Sequence, residues 1–256
     1  MILAVIPARY ASTRFPGKPL ADIQGKTMIR RVWEQVLQSR RVDAVVVATD
    51  DDRIAAHVQA FGGQIMRTRS DHPSGTDRCA EVALHFPAAE FILNIQGDEP
   101  FVQPEQIDLL ADTLCSDPAF TIATLAKRIE QAEALFNPNV VKVALAGDGR
   151  AIYFSRHPVP FLRGCAPADW LTRHAFYKHI GLYGFRRETL LHIAGLAPTL
   201  LEQAESLEQL RWLEHGLPIR VGLTDWETMG IDTPEDLWHL QVELIKRSDL
   251  TGQDER

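Results

Sequence analysis

Arg9, Arg14 and Lys18 are the only charged residues between positions 7 and 19 of a chain whose formal charge is -7. An acid-free basic loop in an acidic protein points to a small anionic ligand, although a solvated loop with chance charges reads the same on charge alone. The loop follows the apolar run Ile2 to Ile6, so it lies at the carboxyl end of a strand, where open α/β sheets bind ligands. Pro7, Pro16 and Pro19 stiffen it. Gly17 and the small residues Ala8, Ala11 and Ser12 let backbone N–H groups approach phosphates. Arg14 and Lys18 can neutralise phosphate charge, the first as a fork and the second as a point charge.

A second constellation is Gln96-Gly97-Asp98-Glu99-Pro100, again after an apolar run. Asp98 can hold Mg²⁺ beside phosphates, because that ion prefers one or two carboxylates completed by phosphate oxygens and water. Taken alone the segment is equally a turn, since Gly, Asp and Pro favour turns. Asp232 poses the same choice: it is a metal carboxylate, or it or Thr233 caps a helix opening at Pro234. Ser74-Gly75-Thr76-Asp77-Arg78 can cap a helix whose N-terminus faces a nucleotide, or be only a cap. Arg156 can meet an anionic substrate or pair on the surface. His179 binds a ligand or is structural. His57, His85 and His192 fall in helical patterns and receive no role. No Ser/His/Asp or Cys/His set has the context for covalent catalysis.

Two glycine motifs fail on inspection. Gly25-Lys26-Thr27 resembles the end of a P-loop, but position 20 is Leu20 where that motif needs glycine. No GxGxxG follows the first strand, which removes the main sequence support for a dinucleotide-dependent dehydrogenase.

The elements that must position these residues alternate. Ile2 to Ile6, Ala44 to Ala48 and Phe91 to Ile95 read as buried strands. Residues 27 to 39, 51 to 61 and 104 to 114 carry helical periodicity, with Gly62 ending the second and Pro104 opening the third. This order predicts an α/β domain with a mainly parallel sheet. In the middle third, Val140 to Leu145 and Ala151 to Phe154 flank the hairpin turn Ala146 to Arg150. His157 to Asp169 loops out, and His179 to Phe185 is a further strand; this region is expected to form an arm beside the main sheet. Helices at 201 to 214 and 234 to 246 and a strand at Pro218 to Leu223 complete the chain.

Composition bounds the function. With 45% hydrophobic and 24% charged residues, the 256-residue chain is an ordinary globular sequence. Its acidic balance argues against a general nucleic-acid binder. No apolar run reaches the roughly 20 residues of a membrane span. Cys79, Cys115 and Cys165 are odd in number and scattered, which speaks against a disulfide framework or zinc site. The cytoplasm is the expected location.

Several segments, taken in order, resemble one family nearly end to end: Pro7 to Leu20, Ala48-Thr49-Asp50, Ser74-Gly75-Thr76, Asn94 to Pro100, Phe136 to Asn139 with Val141-Lys142-Val143, Tyr153 to Arg156, His179 to Phe185, Leu207 to Arg211, and Ile231 to Leu237. They are similar to the 3-deoxy-D-manno-octulosonate (KDO) cytidylyltransferases. The loop Phe161 to Thr172 departs from the family pattern, and Glu202 to Ser206 aligns loosely.

The resemblance implies a Rossmann-like nucleotidyltransferase fold: one domain over residues 1–256, helices on both sheet faces, and an inserted dimerisation arm at roughly 130–190. It implies transfer of CMP from CTP to KDO, serving lipopolysaccharide synthesis in Gram-negative bacteria, with Mg²⁺ as cofactor and a homodimer as the assembly. Ala8, Arg9, Arg14 and Lys18 would bind the triphosphate, and Ser74, Gly75 and Thr76 would lie near the cytidine. Asp98 and Asp232 would hold the metal, with Arg14 and Lys18 stabilising the leaving diphosphate. Gln96, Arg156, His179 and Glu208 would contact the sugar acid. The 8-amino analogue of KDO, or sialic acid, is an alternative substrate. A non-catalytic nucleotide sensor and a structural sheet protein are the readings from other classes.

Overall fold

The computed structural model describes residues 1–11, 15–227, 230–231 and 233–251, with side chains described as far as residue 242. Arg14 and Asp232 therefore lie outside the described residues. In chain order the first half contains β1 (Ile2–Pro7), β2 (Asp22–Ile23), β3 (Lys26–Thr27), α1 (Met28–Val36), β4 (Ala44–Thr49), α2 (Asp52–Ala60), β5 (Ile65–Arg67), α3 (Gly75–His85), β6 (Phe91–Asn94) and α4 (Pro104–Cys115). The second half contains β7 (Ile122–Arg128), α5 (Ala132–Phe136), β8 (Lys142–Leu145), β9 (Ala151–Ser155), α6 (Trp170–Arg173), β10 (Tyr177–Arg186), α7 (Arg187–Ile193), α8 (Leu200–Glu205), α9 (Gln209–Glu214), β11 (Ile219–Leu223) and α10 (Pro234–Thr251).

The main sheet runs β11-β7-β10-β6-β1-β4-β5. All its neighbours pair in parallel except where β10 lies antiparallel between β6 and β7. The fold is thus the expected α/β sandwich with a mostly parallel sheet. Strand β1 shows why a continuous apolar run belongs at its centre. Leu3 and Val5 enter the core formed with α3, α7 and α9, whereas Ile2, Ala4 and Ile6 enter the core formed with α1, α2 and α4. A period of two sends alternate side chains to opposite faces, so both faces must be apolar.

Three findings differ from the expected layout. Strand β7 was not anticipated, yet it is a central strand flanked by β10 and β11. The strand expected within the arm is β10, which is built into the main sheet, and the β8–β9 hairpin hangs from it. The helix expected at 201 to 214 is broken into α8 and α9 at Ser206, which adopts a left-handed φ of 53°. The N–H groups of Ser206 and Leu207 return to the Glu202 carbonyl, a left-handed C-cap, and Arg156 Nε takes the Glu205 carbonyl at 2.6 Å. A continued helix would need that acceptor for the N–H of residue 209.

Candidate active site

Residues from distant parts of the chain meet at the carboxyl ends of β1 and β6. The loop after β1 starts with Ala8 N–H donating to the Ala48 carbonyl at 2.9 Å, which ties it to β4. It closes with Gly17 N–H donating to the Tyr10 carbonyl at 2.9 Å. Gly17 has φ +74°, and a Cβ there would sit 3.0 Å from the Tyr10 side chain, so the turn requires glycine. Gly97 has a similar constraint: a Cβ would stand 2.8 Å from the Pro7 carbonyl oxygen. The Gln96–Asp98 turn can therefore pack directly on the end of β1.

This packing places Lys18 Nζ 2.6 Å from Asp98 Oδ2 and 2.9 Å from the Ile231 carbonyl. Ile231 N–H in turn donates to the Asp98 carbonyl at 3.1 Å. The segment carrying Asp232 is thus fastened to Asp98 at its preceding residue. Asp98 Oδ1 has no hydrogen bond among the described residues. A hard oxygen donor left open in a cleft fits Mg²⁺, which takes few protein carboxylates and completes its shell with phosphate and water. No group of three or more potential metal-ligating side chains occurs among the described residues.

A cleft of about 230 Å³ opens above these groups, lined by Pro7, Ala8, Arg9, Lys18, Ser74, Gly75, Gln96 and Asp98, together with His72, Pro73 and Arg78. Of the candidate residues, it unites Ala8, Arg9, Lys18, Ser74, Gly75, Gln96 and Asp98. Ser74 is the N-cap of α3, accepting from Asp77 N–H at 3.2 Å. The positive end of an eleven-residue helix therefore borders the cleft.

Thr76, Arg156, His179 and Glu208 do not line this cleft. Thr76 and Glu208 meet beside Ser74, His179 lies on β10 and Arg156 follows β9. Thr76 Oγ1 donates to Glu208 Oε2 at 2.8 Å, and Ser74 Oγ lies 3.1 Å from Glu208 Oε1. Burial raises the pKa of Glu208, and these two hydroxyls act against the rise. His179 Nε2 lies 2.9 Å from Thr124 Oγ1, which also contacts the carbonyls of Leu182 at 2.8 Å and Ile180 at 3.1 Å. Thr124 has one hydrogen; given to a carbonyl, it leaves the oxygen to accept from His179, so Nε2 carries the ring proton. Burial pushes the His179 pKa down to about 3, so the ring is neutral. Arg156 is committed elsewhere, donating to the Glu205 carbonyl and, at 3.1 Å, to the Pro138 carbonyl. Lys142, fully buried, clamps the same region by donating to the carbonyls of Asn137, Val140 and Arg156.

Other polar atoms near these groups are buried without hydrogen-bond partners among the described residues: Asn94 Oδ1, Glu99 Oε2, Tyr183 OH and Trp212 Nε1. Asn94 and Tyr183 are register partners on β6 and β10. Burial drives the Glu99 pKa up to about 8, helped by neighbouring Asp98, so at neutral pH Glu99 is chiefly a neutral acid. Sequence reasoning assigned no role to His72, Arg78, Lys142, Tyr183 or Glu99. The usable signal was their position inside the quoted motifs or one turn from them; their burial could not be read from order alone.

Comparison with known proteins gives a consistent picture. The family model described as cytidylyltransferase matches residues 3–221. The chain is 57% identical to a 3-deoxy-manno-octulosonate cytidylyltransferase of Cytophaga hutchinsonii over 239 residues, covering 92% of this chain and 94% of that protein. It is 52% identical to the protein of the same name from Bacteroides thetaiotaomicron over 250 residues, covering 96% and 99%. Among solved structures, a CMP:2-keto-3-deoxy-manno-octonic acid synthetase complexed with CTP superposes with a TM-score of 0.88 at 43% identity, covering 96% of this chain and 99% of that one.

Proposed function

The chain belongs to the 3-deoxy-manno-octulosonate cytidylyltransferases, and from that premise we propose that it transfers CMP from CTP to KDO in one in-line displacement, releasing diphosphate. The observation that carries this reading is the convergence of Lys18, Asp98 and Ile231 at the mouth of a cleft whose other wall is the N-terminus of α3. The anomeric hydroxyl of KDO attacks the α-phosphorus of CTP. The new bond joins that oxygen to phosphorus as the bond to the β-phosphate oxygen breaks, and diphosphate carries the electron pair away. Such a transition state spreads negative charge over phosphoryl oxygens, so positioning and electrostatics supply the catalysis.

Arg9 and Lys18 line the cleft and neutralise the triphosphate, with Arg14 as their third partner. Ala8, Ser74 and Gly75 present backbone to the nucleotide, and Thr76 braces that wall through Glu208. Asp98 and Asp232 would hold Mg²⁺, which would lower the charge on the phosphates and the pKa of the attacking hydroxyl. Gln96 sits where the cleft meets the sugar side. Glu208, His179 and Arg156 belong to that side, together with Asn94 and Tyr183, whose unpaired polar atoms match a ligand rich in hydroxyl groups. The product serves lipopolysaccharide synthesis.

The enzyme acts as a homodimer through its arm. There Trp170 and Phe176 form a small separate core, and the neighbouring aromatic rings Phe136 and Phe161 are exposed. It works in the cytoplasm; no helix among the described residues is long and apolar enough to cross a membrane. Diphosphate release measured with the common nucleoside triphosphates, each crossed with KDO, 8-amino-KDO and a sialic acid, tests the reading. Preference for CTP with KDO supports it. Preference for 8-amino-KDO or sialic acid reassigns the sugar, and no release with any pair contradicts it.

A further inference from the structure

The Tyr10 side chain sits where the two limbs of the basic loop meet. Its carbonyl accepts from Gly17 N–H at 2.9 Å, and the ring lies so close to the Gly17 backbone that a Cβ there would stand 3.0 Å from it. Arg9 immediately precedes this contact and Lys18 immediately follows it, and both line the cleft. The Tyr10–Gly17 contact therefore governs how far apart the two cations stand.

The same ring carries a guanidinium from another element. Arg53 Cζ lies 3.3 Å from the Tyr10 ring centroid, well within the range of a cation–π contact. Arg53 is on the first turn of α2, where the positive end of the helix macrodipole disfavours a cation. Asp51, the N-cap of that helix, holds it there. Arg53 Nε and Nη2 donate to the two oxygens of the Asp51 carboxylate at 3.1 and 2.7 Å, and the same carboxylate accepts from the backbone N–H groups of Arg53 and Ile54. A bidentate pair fixes the plane of a guanidinium as well as its place. Asp51 is fastened in turn, its N–H donating to Thr49 Oγ1 at the end of β4 at 3.2 Å. Ala8 N–H already ties the start of the loop to Ala48 on β4, so Arg53 adds a second tie to the same side.

Resting on the proposed use of CTP, we propose that Arg53, oriented by Asp51, is a positioning residue for the triphosphate: it clasps the Tyr10 ring and so holds Arg9 and Lys18 at the spacing the phosphates require. Arg53 acts through Tyr10 and touches no phosphate itself. A loop held in its binding form before CTP arrives raises the apparent affinity, which scales with the fraction of protein in that form.

Calorimetric titration of the full chain with CTP and Mg²⁺ tests the clasp. Arg53→Ala is expected to weaken CTP binding roughly three- to fivefold, the scale of an exposed cation–π contact. The KM for CTP should rise with it, while the KM for KDO moves less than twofold. Arg53→Lys should recover part of the loss, since an ammonium also sits over a ring. Tyr10→Leu removes the ring, and in that background Arg53→Ala is expected to cost nothing further, whereas Tyr10→Phe preserves the full effect. Unchanged affinity in Arg53→Ala overturns the proposal. So does an equal loss with and without the ring, which would make Arg53 a long-range charge alone. Tryptic cleavage after Arg9 in the absence of CTP reads the clasp in a single variant, so it decides the matter even if Tyr10→Leu does not fold. Arg53→Ala is expected to be cut several-fold faster than the wild type, because cleavage follows local opening; an equal rate overturns the proposal. Wild-type protein that binds no CTP overturns the proposed function instead, and the cleavage rates still judge the clasp.

Discussion

The two ends of the site are built on opposite plans. At the nucleotide end, the cleft is open, and its walls are backbone, a helix N-terminus and the charged Arg9, Lys18 and Asp98. At the end proposed for the sugar, His179, Glu208 and Arg156 are engaged with protein partners, Glu208 with Thr76 of the nucleotide wall, while Asn94 and Tyr183 hold buried polar atoms with none among the described residues. The first arrangement is ready for an anion as it stands. The second needs its internal hydrogen bonds exchanged before a sugar can enter. A ligand that satisfies Asn94 and Tyr183 and replaces the Thr76–Glu208 contact would offset that cost, since the exchange is nearly neutral only when every buried group finds a partner.

The comparison breaks most readily at Asp98. Asp98→Ala is expected to lower kcat by at least about a thousandfold, the scale of losing a group that stabilises transition-state charge. The melting temperature should stay close to that of the wild type, because Asp98 is half-buried at a cleft mouth. A folded variant with near-normal turnover would remove the metal carboxylate from the account. Glu208→Gln sharpens the contrast. The KM for KDO should rise roughly tenfold, the effect of weakening a charge-assisted hydrogen bond, while the calorimetric affinity for CTP falls by a smaller factor, since Glu208 also braces the nucleotide wall through Thr76. An equal loss for both ligands would mean that the two ends are not separable.

A pH experiment reaches the buried side through His179. His179 is neutral in the fold, with its pKa lowered to about 3, whereas in the unfolded chain it takes up a proton below about 6.5. Folding therefore excludes that proton, and stability is lost as pH falls from about 6.5 toward 3, by about 1.4 kcal/mol per pH unit. Unfolding by denaturant across this window should show the slope, and His179→Asn should flatten it. Glu99 acts with the opposite sign, since its raised folded pKa removes stability as pH climbs from the usual carboxylate range toward 8. The smallest effect belongs to the helix break that sets up Glu208. Ser206→Gly should stabilise the protein by about 0.5–1 kcal/mol, because glycine occupies the left-handed region without strain. A loss of stability would show that the Ser206 side chain contributes more than its backbone strain costs.

Much of the cleft's framework was legible in the sequence because it depends on local order. An apolar strand, a proline-stiffened basic loop and Ser74 followed by helical residues each carry their own signal. Asp98 needed only a strand before it. The residues proposed for the sugar came from resemblance alone, because their setting depends on partners far away. Thr76 meets Glu208 across 132 residues and Thr124 meets His179 across 55. Strand β7 and the central place of β10 were hidden for the same reason, since sheet order is set by pairing and not by periodicity. The break at Ser206 coincides with Arg156 taking the Glu205 carbonyl, a contact across 49 residues that helical periodicity does not carry.

The most direct measurement of the central claim is mass spectrometry of the products formed by the purified wild-type protein from CTP and KDO with Mg²⁺. The account predicts CMP-KDO and diphosphate in equal amounts, with neither formed when CTP is omitted. CTP hydrolysed to CMP without a sugar conjugate, or no consumption of CTP at all, would contradict it.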